Sequence, residues 1–235
     1  MDKIYKDKKY SPEAAEGVYE KVLECLELHP DISILDVPCG TGVFSDMLLN
    51  KKVKVTYGDI KPDKCVIGGA EYIDMNKNLP YKSNVFDIVT CIEGIEHIEN
   101  PHHIIREFNR VLKQNGLLII TTPNILNIKS RIKFLLSGTF FWFDSETIRR
   151  NAHINPIPFF ELNYVLENCG FYLEKIETNR IYFFLIAFTW FIKTVKALLF
   201  RRLDKNMNNS LLLLGEILII KCRKIKNVVS SNRFL

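Results

Sequence analysis

No C-x-x-C pair occurs among the six cysteines of this 235-residue chain. They stand singly at Cys25, Cys39, Cys65, Cys91, Cys169 and Cys222, so neither a cysteine zinc site nor a dithiol redox motif is indicated, and a reducing compartment is. Residues 1–17, MDKIYKDKKYSPEAAEG, lack the apolar core of a secretory signal, which points to a cytoplasmic protein. The uncharged apolar run from 181 to 192 falls short of the roughly 20 residues that cross a bilayer. Internal repeats and low-complexity tracts are missing, and so is any recognised RNA-binding module, so nucleic acid is not an expected partner. A third glycine is missing as well. After Gly40 and Gly42 the next position of the dinucleotide-binding pattern G-x-G-x-x-G is Ser45.

What is present reads as one α/β domain over residues 1–235. Hydrophobic content of 47% and charged content of 25% are ordinary for a globular protein. Strand-like runs alternate with helical ones, the pattern of a parallel sheet built from βαβ units. Helices are predicted over 12–28, Val43–Asn50, Pro101–Lys113 and Phe159–Asn168. Strands are predicted at Ser33–Val37, Lys54–Ile60, Glu71–Met75, Phe86–Ile92, Leu117–Thr122, Tyr172–Thr178 and Glu216–Lys224. Residues 125–150 follow the fifth strand and are placed to cover the carboxyl ends of the strands, where ligands bind in open α/β sheets. Residues 181–214 form a second, apolar insert of helical character before the last strand.

Ile34-Leu35-Asp36-Val37-Pro38-Cys39-Gly40-Thr41-Gly42 runs from a strand ending in a carboxylate into a small-residue turn that opens a helix. Glycines there let backbone approach a ligand, and the helix start offers free N–H groups to an anion. This segment resembles motif I of class I S-adenosylmethionine (SAM) dependent methyltransferases. EYIDMN, FDIVTCIEGIEHIENP and EFNRVLKQNGLLIITTPN follow in the order of that family. The resemblance implies a Rossmann-like seven-stranded sandwich of order 3-2-1-4-5-7-6 with the last-numbered strand antiparallel. It implies SAM as cofactor. Asp36 would hold the glycine loop (Gly40, Gly42) and the methionine end, Asp59 the ribose hydroxyls, and Asp74 the adenine amino group. Pro38 departs from the family, which has glycine there. Proline removes an N–H, and this favours an alternative in which the chain is a non-catalytic, methyltransferase-like binding module.

Glu93, Glu96 and His97 follow the fourth strand as E-x-x-E-H, a spacing that in a helical turn puts all three on one face. Two carboxylates and an imidazole suit a divalent cation such as Mg²⁺ or Mn²⁺. Without metal, His97 is the candidate general base. The pattern resembles two metal-dependent groups, the catechol O-methyltransferases of ubiquinone synthesis and enzymes that methylate the terminal 2′-hydroxyl of small RNAs. By the second resemblance His153 would be a fourth ligand. The expected reaction is O-methylation of a sugar or glycan intermediate, with a quinone-type catechol as the alternative acceptor.

The net charge of +5 is unevenly spread: residues 181–235 hold ten basic and two acidic residues. Within them Ile181–Phe200, IYFFLIAFTWFIKTVKALLF, precedes Arg201-Arg202. As a helix it has a wide apolar face and a basic end, which suits peripheral contact of 181–202 with the inner face of a membrane and a lipid-linked glycan acceptor. Packing on the domain or on a second subunit is the competing reading.

Overall fold

The computed structural model describes residues 3–5, 8–10, 13–181 and 210–227. Seven strands form one sheet: β3 (Ser33–Asp36), β4 (Lys54–Asp59), β5 (Glu71–Tyr72), β6 (Phe86–Cys91), β7 (Leu112–Pro123), β8 (Phe171–Thr178) and β9 (Ile217–Lys224), following a small hairpin of β1 (Lys3–Tyr5) and β2 (Lys8–Tyr10). The order across the sheet is β5-β4-β3-β6-β7-β9-β8. Pairings from β5 to β7 are parallel, and β9 runs antiparallel to both β7 and β8. This is the order that the resemblance implies.

Strand pleating sends alternate residues to opposite faces, and both faces here are apolar. Leu35, Val89, Leu118 and Ile120 join one core with Ile104, Ile105 and Phe108 of α3 (Pro101–Val111) and Leu162 and Leu166 of α6 (Phe159–Asn168). Ile34, Ile88, Leu117 and Ile119 join the other with Val18 and Val22 of α1 (Val18–Glu24) and Phe44 and Leu48 of α2 (Val43–Leu49). Central strands buried on both sides carry continuous apolar runs for this reason.

Three element boundaries differ from expectation. The opening helix is confined to Val18–Glu24. The third strand pairs only over Glu71–Tyr72. The helix expected over Pro101–Lys113 stops at Val111, and β7 begins at once with Leu112 paired to Phe86. Residues 125–150 contain α4 (Ile128–Ser137) and the start of α5 (Ser145–Asn151). Of the apolar insert, Ile181 bridges to Gly215 and Ser210–Leu214 forms a short helical turn, α7, while 182–209 lie outside the described residues. Among the described residues no helix is long and apolar enough to cross a membrane.

Candidate functional site

A cavity of about 730 Å³ opens at the carboxyl ends of β3, β4 and β6, lined at one end by Asp36, Gly40, Asp59 and Asp74 and at the other by Glu93, Glu96, His97 and His153. The two clusters read from the sequence therefore share one chamber. Adjacent parallel strands end side by side, and the loops that follow them converge there.

At the first end, Gly40 and Gly42 both take left-handed backbone, with φ of 51° and 87°. A Cβ on Gly42 would sit 2.6 Å from Cys65 Sγ, so neither φ nor space admits a side chain. Asp59 binds this turn to the end of β4. Its Oδ2 accepts from the Gly40 N–H at 3.1 Å and its Oδ1 from Lys61 N–H at 2.8 Å. Asp36 is buried, and its contacts differ from those the resemblance implies. Its carboxylate accepts from the Ser45 hydroxyl at 2.6 Å and the Thr90 hydroxyl at 2.8 Å. Burial pushes its pKa up to about 6, against the two hydroxyl donors. Asp74 accepts from Asn76 N–H at 3.0 Å and pairs with Lys77 at 3.2 Å; the backbone N–H, then Lys77, hold its carboxyl below the usual range. No sequence pattern marks Ser45 or Thr90 as a partner of Asp36. Ser45 occupies the position of a missing glycine, and only the contact reveals it as the partner of Asp36.

At the second end, Glu93 has a left-handed backbone with φ of 45°. Its N–H is shared between the Thr121 carbonyl and hydroxyl, at 3.2 and 2.9 Å, and its carboxylate accepts from Ala15 N–H at 2.8 Å. Burial raises the Glu93 pKa to about 7. Glu96 is fully buried, and neither carboxylate oxygen has a hydrogen-bond partner among the described residues. Burial, and then the charge of Glu93, push its pKa well above the carboxylate range, opposed by its own backbone N–H and by the buried Thr122 hydroxyl, which lies beside the carboxylate without reaching hydrogen-bond distance. Such a group is costly unless it is protonated or meets a cation.

His97 and His153 complete this end. Ile154 and Asn155 both donate backbone N–H groups to the Glu96 carbonyl at 3.0 Å, and the Asn155 amide bonds the Ile98 carbonyl. These bonds tie the later segment to the single 3₁₀ turn Ile95–His97, and they bring the two imidazoles to 4.8 Å between ring centroids. His97 Nδ1 lies 3.2 Å from the Ala152 carbonyl, and His153 Nδ1 lies 2.9 Å from the Trp142 carbonyl. Ala152 and Trp142 also have positive φ, at 55° and 68°. A carbonyl on Nδ1 favours the tautomer that carries its proton there, which leaves Nε2 the acceptor nitrogen of the ring. Burial lowers both imidazole pKa values, and His97 lowers that of His153 further. One ligand atom from each of Glu96, His97 and His153 lies within 4.8 Å of the others. Glu93 is not part of this trio, since its carboxylate turns to Ala15.

Residues 10–176 match a protein family described as "Methyltransferase domain". Over 130 residues the chain is 31% identical to the Ubiquinone biosynthesis O-methyltransferase of Glaesserella parasuis, a match covering 45% of this chain and 55% of that protein. It is 32% identical over 167 residues to an uncharacterized protein of Methanocaldococcus jannaschii, covering 66% and 60%. The chain thus spans about half the length of the curated relatives it matches. Among solved structures, a SAM dependent methyltransferase from Archaeoglobus fulgidus superimposes with a TM-score of 0.59 at 18% identity, over 88% of this chain and 93% of that one. The [4+2]-cyclase SpnF superimposes with a TM-score of 0.58 at 19% identity, over 88% and 79%. The fold alone therefore does not fix the reaction.

Proposed function

From the premise that this chain belongs to the class I SAM-dependent methyltransferases, we propose that it methylates a hydroxyl whose neighbouring atom also carries oxygen, with a divalent cation at Glu96, His97 and His153. The observation that carries this reading is the convergence of those three side chains inside the cavity that also holds the glycine turn.

The first end of the cavity fits SAM. Two glycines with positive φ let the Glu13 carboxylate and Cys65 pack directly on the turn, and Asp36 and Asp59 stand at the ends of neighbouring strands. Asp59 and Asp74 are the proposed acceptors for ribose hydroxyls and the adenine amino group. Asp36 acts through Ser45 and Thr90, fixing the end of β3 beneath the turn. Gly40 lines the cavity and supplies the close backbone surface, whereas Gly42 packs under Cys65 and Ile67 and serves the turn itself. SAM, when bound, supplies an electrophilic methyl group.

The second end fits a cation. Glu96 brings a buried carboxylate whose oxygens make no hydrogen bond within 3.5 Å, and two histidines are each held through Nδ1 by a backbone carbonyl. Two imidazoles and one carboxylate suit Mn²⁺ better than Mg²⁺, which prefers an all-oxygen shell. A bound cation would polarise an acceptor hydroxyl and lower its pKa. Glu93 stays beside the trio as a neutral or singly charged group that secures Ala15 over the cavity. A vicinal diol of a sugar or glycan, or a catechol, presents the required pair of oxygens. The ubiquinone O-methyltransferase relatives favour the catechol.

A second reading rests on the lowered pKa of His97, which keeps it neutral and able to accept a proton near neutral pH. In it His97 is the base and no cation takes part. Titration of the protein with S-adenosylhomocysteine, followed by turnover assays on diol and catechol acceptors with and without Mn²⁺, tests both readings. Absence of S-adenosylhomocysteine binding would instead favour the non-catalytic module.

A further inference from the structure

A further carboxylate reaches the glycine turn from outside the sheet. Residues 13–15 lie along the cavity wall just before α1 begins. Their backbone is fixed from two sides. Ala15 N–H donates to the Glu93 carboxylate at 2.8 Å, and the Asn179 amide donates to the Glu16 carbonyl at 3.0 Å. Tyr19, in the first turn of α1, stacks on Phe44 of α2 with ring centroids 5.7 Å apart. Held in this way, the segment lays the Glu13 side chain on Gly40. A Cβ on Gly40 would lie 3.3 Å from Glu13 Cδ and closer still to Oε2. The space that a side chain would take on this left-handed residue is filled by a carboxylate from elsewhere in the chain.

The carboxylates around the turn are not equivalent. Asp36 gives one oxygen to the Ser45 hydroxyl and the other to the Thr90 hydroxyl. Asp59 gives one to the Gly40 N–H and the other to the Lys61 N–H. Glu13 accepts no hydrogen bond from the described residues. Its ion pair is with Lys64, loose at 3.8 Å, and both side chains are about half exposed. An anion on a cavity wall, met only by a distant ammonium, keeps its acceptor capacity for a cationic ligand.

We propose, on the reading of this end as the SAM site, that Glu13 binds the α-ammonium group of the cofactor. The resemblance gives the methionine end to Asp36, but Asp36 is buried at the end of β3 with both oxygens engaged. Glu13 and Gly40 line the cavity together, so the carboxylate stands where a ligand drawn close to the glycine backbone passes. Chemistry selects the group. Adenine and ribose carry no positive charge. The sulfonium is surrounded by three carbons and donates no hydrogen bond, whereas an ammonium donates three. The ammonium takes the place of Lys64 as the partner of Glu13.

The test is calorimetric titration of the full chain with S-adenosylhomocysteine and, in parallel, with 5′-methylthioadenosine, which keeps the adenosine and the thioether but has no amino acid. Glu13→Gln keeps the size of the side chain and removes its charge. In this variant affinity for S-adenosylhomocysteine should fall about five- to tenfold, while that for methylthioadenosine stays within about twofold of wild type. Added salt should weaken S-adenosylhomocysteine binding more in the wild type than in the variant, because only the wild type uses this charge pair. The melting temperature should hold, since Glu13 is half exposed. Equal losses on both ligands would make Glu13 a support of the turn and overturn the proposal. Undiminished or tighter S-adenosylhomocysteine binding in the variant would also overturn it, the tighter case showing a carboxylate that obstructs the cofactor. A wild type that binds neither ligand would overturn the SAM site and this role together. A wild type that binds both, beside a variant that matches it, would overturn the role of Glu13 alone.

Discussion

The ring of Pro38 fills the space that a side chain on residue 94 would need. A Cβ on Gly94 would lie 2.8 Å from Pro38 Cγ and closer still to Cδ, with Cys91 Sγ at 3.0 Å. Gly94 has φ of −121°, which any residue adopts, so space alone demands the glycine. The proline at position 38 therefore packs directly on the backbone of residue 94, where it leaves no room for a side chain.

Gly94→Ala is accordingly expected to destabilise the protein by about 1–3 kcal/mol, the usual cost of forcing a methyl group into a packed site. Replacing Pro38 with glycine in the same chain removes the obstructing ring. The two changes together should cost less than the sum of the single variants. Urea denaturation of the four proteins measures this. Strict additivity would show that the two residues do not compete for the same space.

Asp59→Ala removes a carboxylate that bonds both Gly40 N–H and Lys61 N–H. It should weaken S-adenosylhomocysteine binding by about 1.5–3 kcal/mol, roughly ten- to a hundredfold, as for other hydrogen bonds to a charged group. Calorimetric titration reads the affinity, and a melting curve checks that the variant is folded. An unchanged affinity in a folded variant would remove Asp59 from the cofactor site.

Glu93 gives a dependence on pH. Its folded pKa, about 7, lies above its ordinary value, so the folded state binds the proton more tightly than the unfolded chain does. The stability it contributes is therefore complete below the ordinary carboxylate pKa and is lost as pH rises through about 7. Glu93→Gln keeps an oxygen for Ala15 N–H and removes the charge. With metal absent, the variant should be more stable than wild type at pH 8 by about 1–2 kcal/mol, after allowance for partial exposure, and equal to it near pH 4. Denaturation across that range decides the matter. A gap that grows toward low pH would reverse the assignment.

Much of this architecture was legible in the sequence because it is local. Alternating strand-like and helical runs marked the βαβ units, the sheet order came only with the resemblance that the I-L-D turn and the later motifs carry, and G-x-G at 40–42 marked the expected cofactor end. The boundary at Leu112 was not legible, since a helix passes straight into a strand and only pairing with Phe86 marks the change. Ser45 was invisible as a partner of Asp36, because a hydroxyl nine residues away has no local signature. E-x-x-E-H suggested three ligands on one helical face. Positive φ at Glu93 instead sends its carboxylate to Ala15, and backbone bonds from Ile154 and Asn155 bring in His153. Such tertiary contacts decide a ligand set, and sequence spacing does not contain them.

The cation is the most consequential expectation, and it rests on Glu96. A fully buried carboxylate with no hydrogen-bond partner is stable as a neutral acid or as a metal ligand. Mn²⁺ binding should then release a proton, since the cation displaces it. Calorimetry in buffers of different ionisation enthalpy measures that release directly. Glu96→Gln retains shape but not charge, and it should lose Mn²⁺ affinity by at least tenfold while S-adenosylhomocysteine affinity holds. His153→Ala should do the same, because the fifty-five residues between it and His97 matter less than the 4.8 Å between their rings. Glu93→Gln should leave Mn²⁺ affinity within a few-fold of wild type, since Glu93 stands outside the trio. Turnover should stop on exhaustive chelation and return with Mn²⁺. Full activity after chelation would reject the cation and leave His97 as base, a histidine whose lowered pKa places the rise of the pH–rate profile below the ordinary imidazole value.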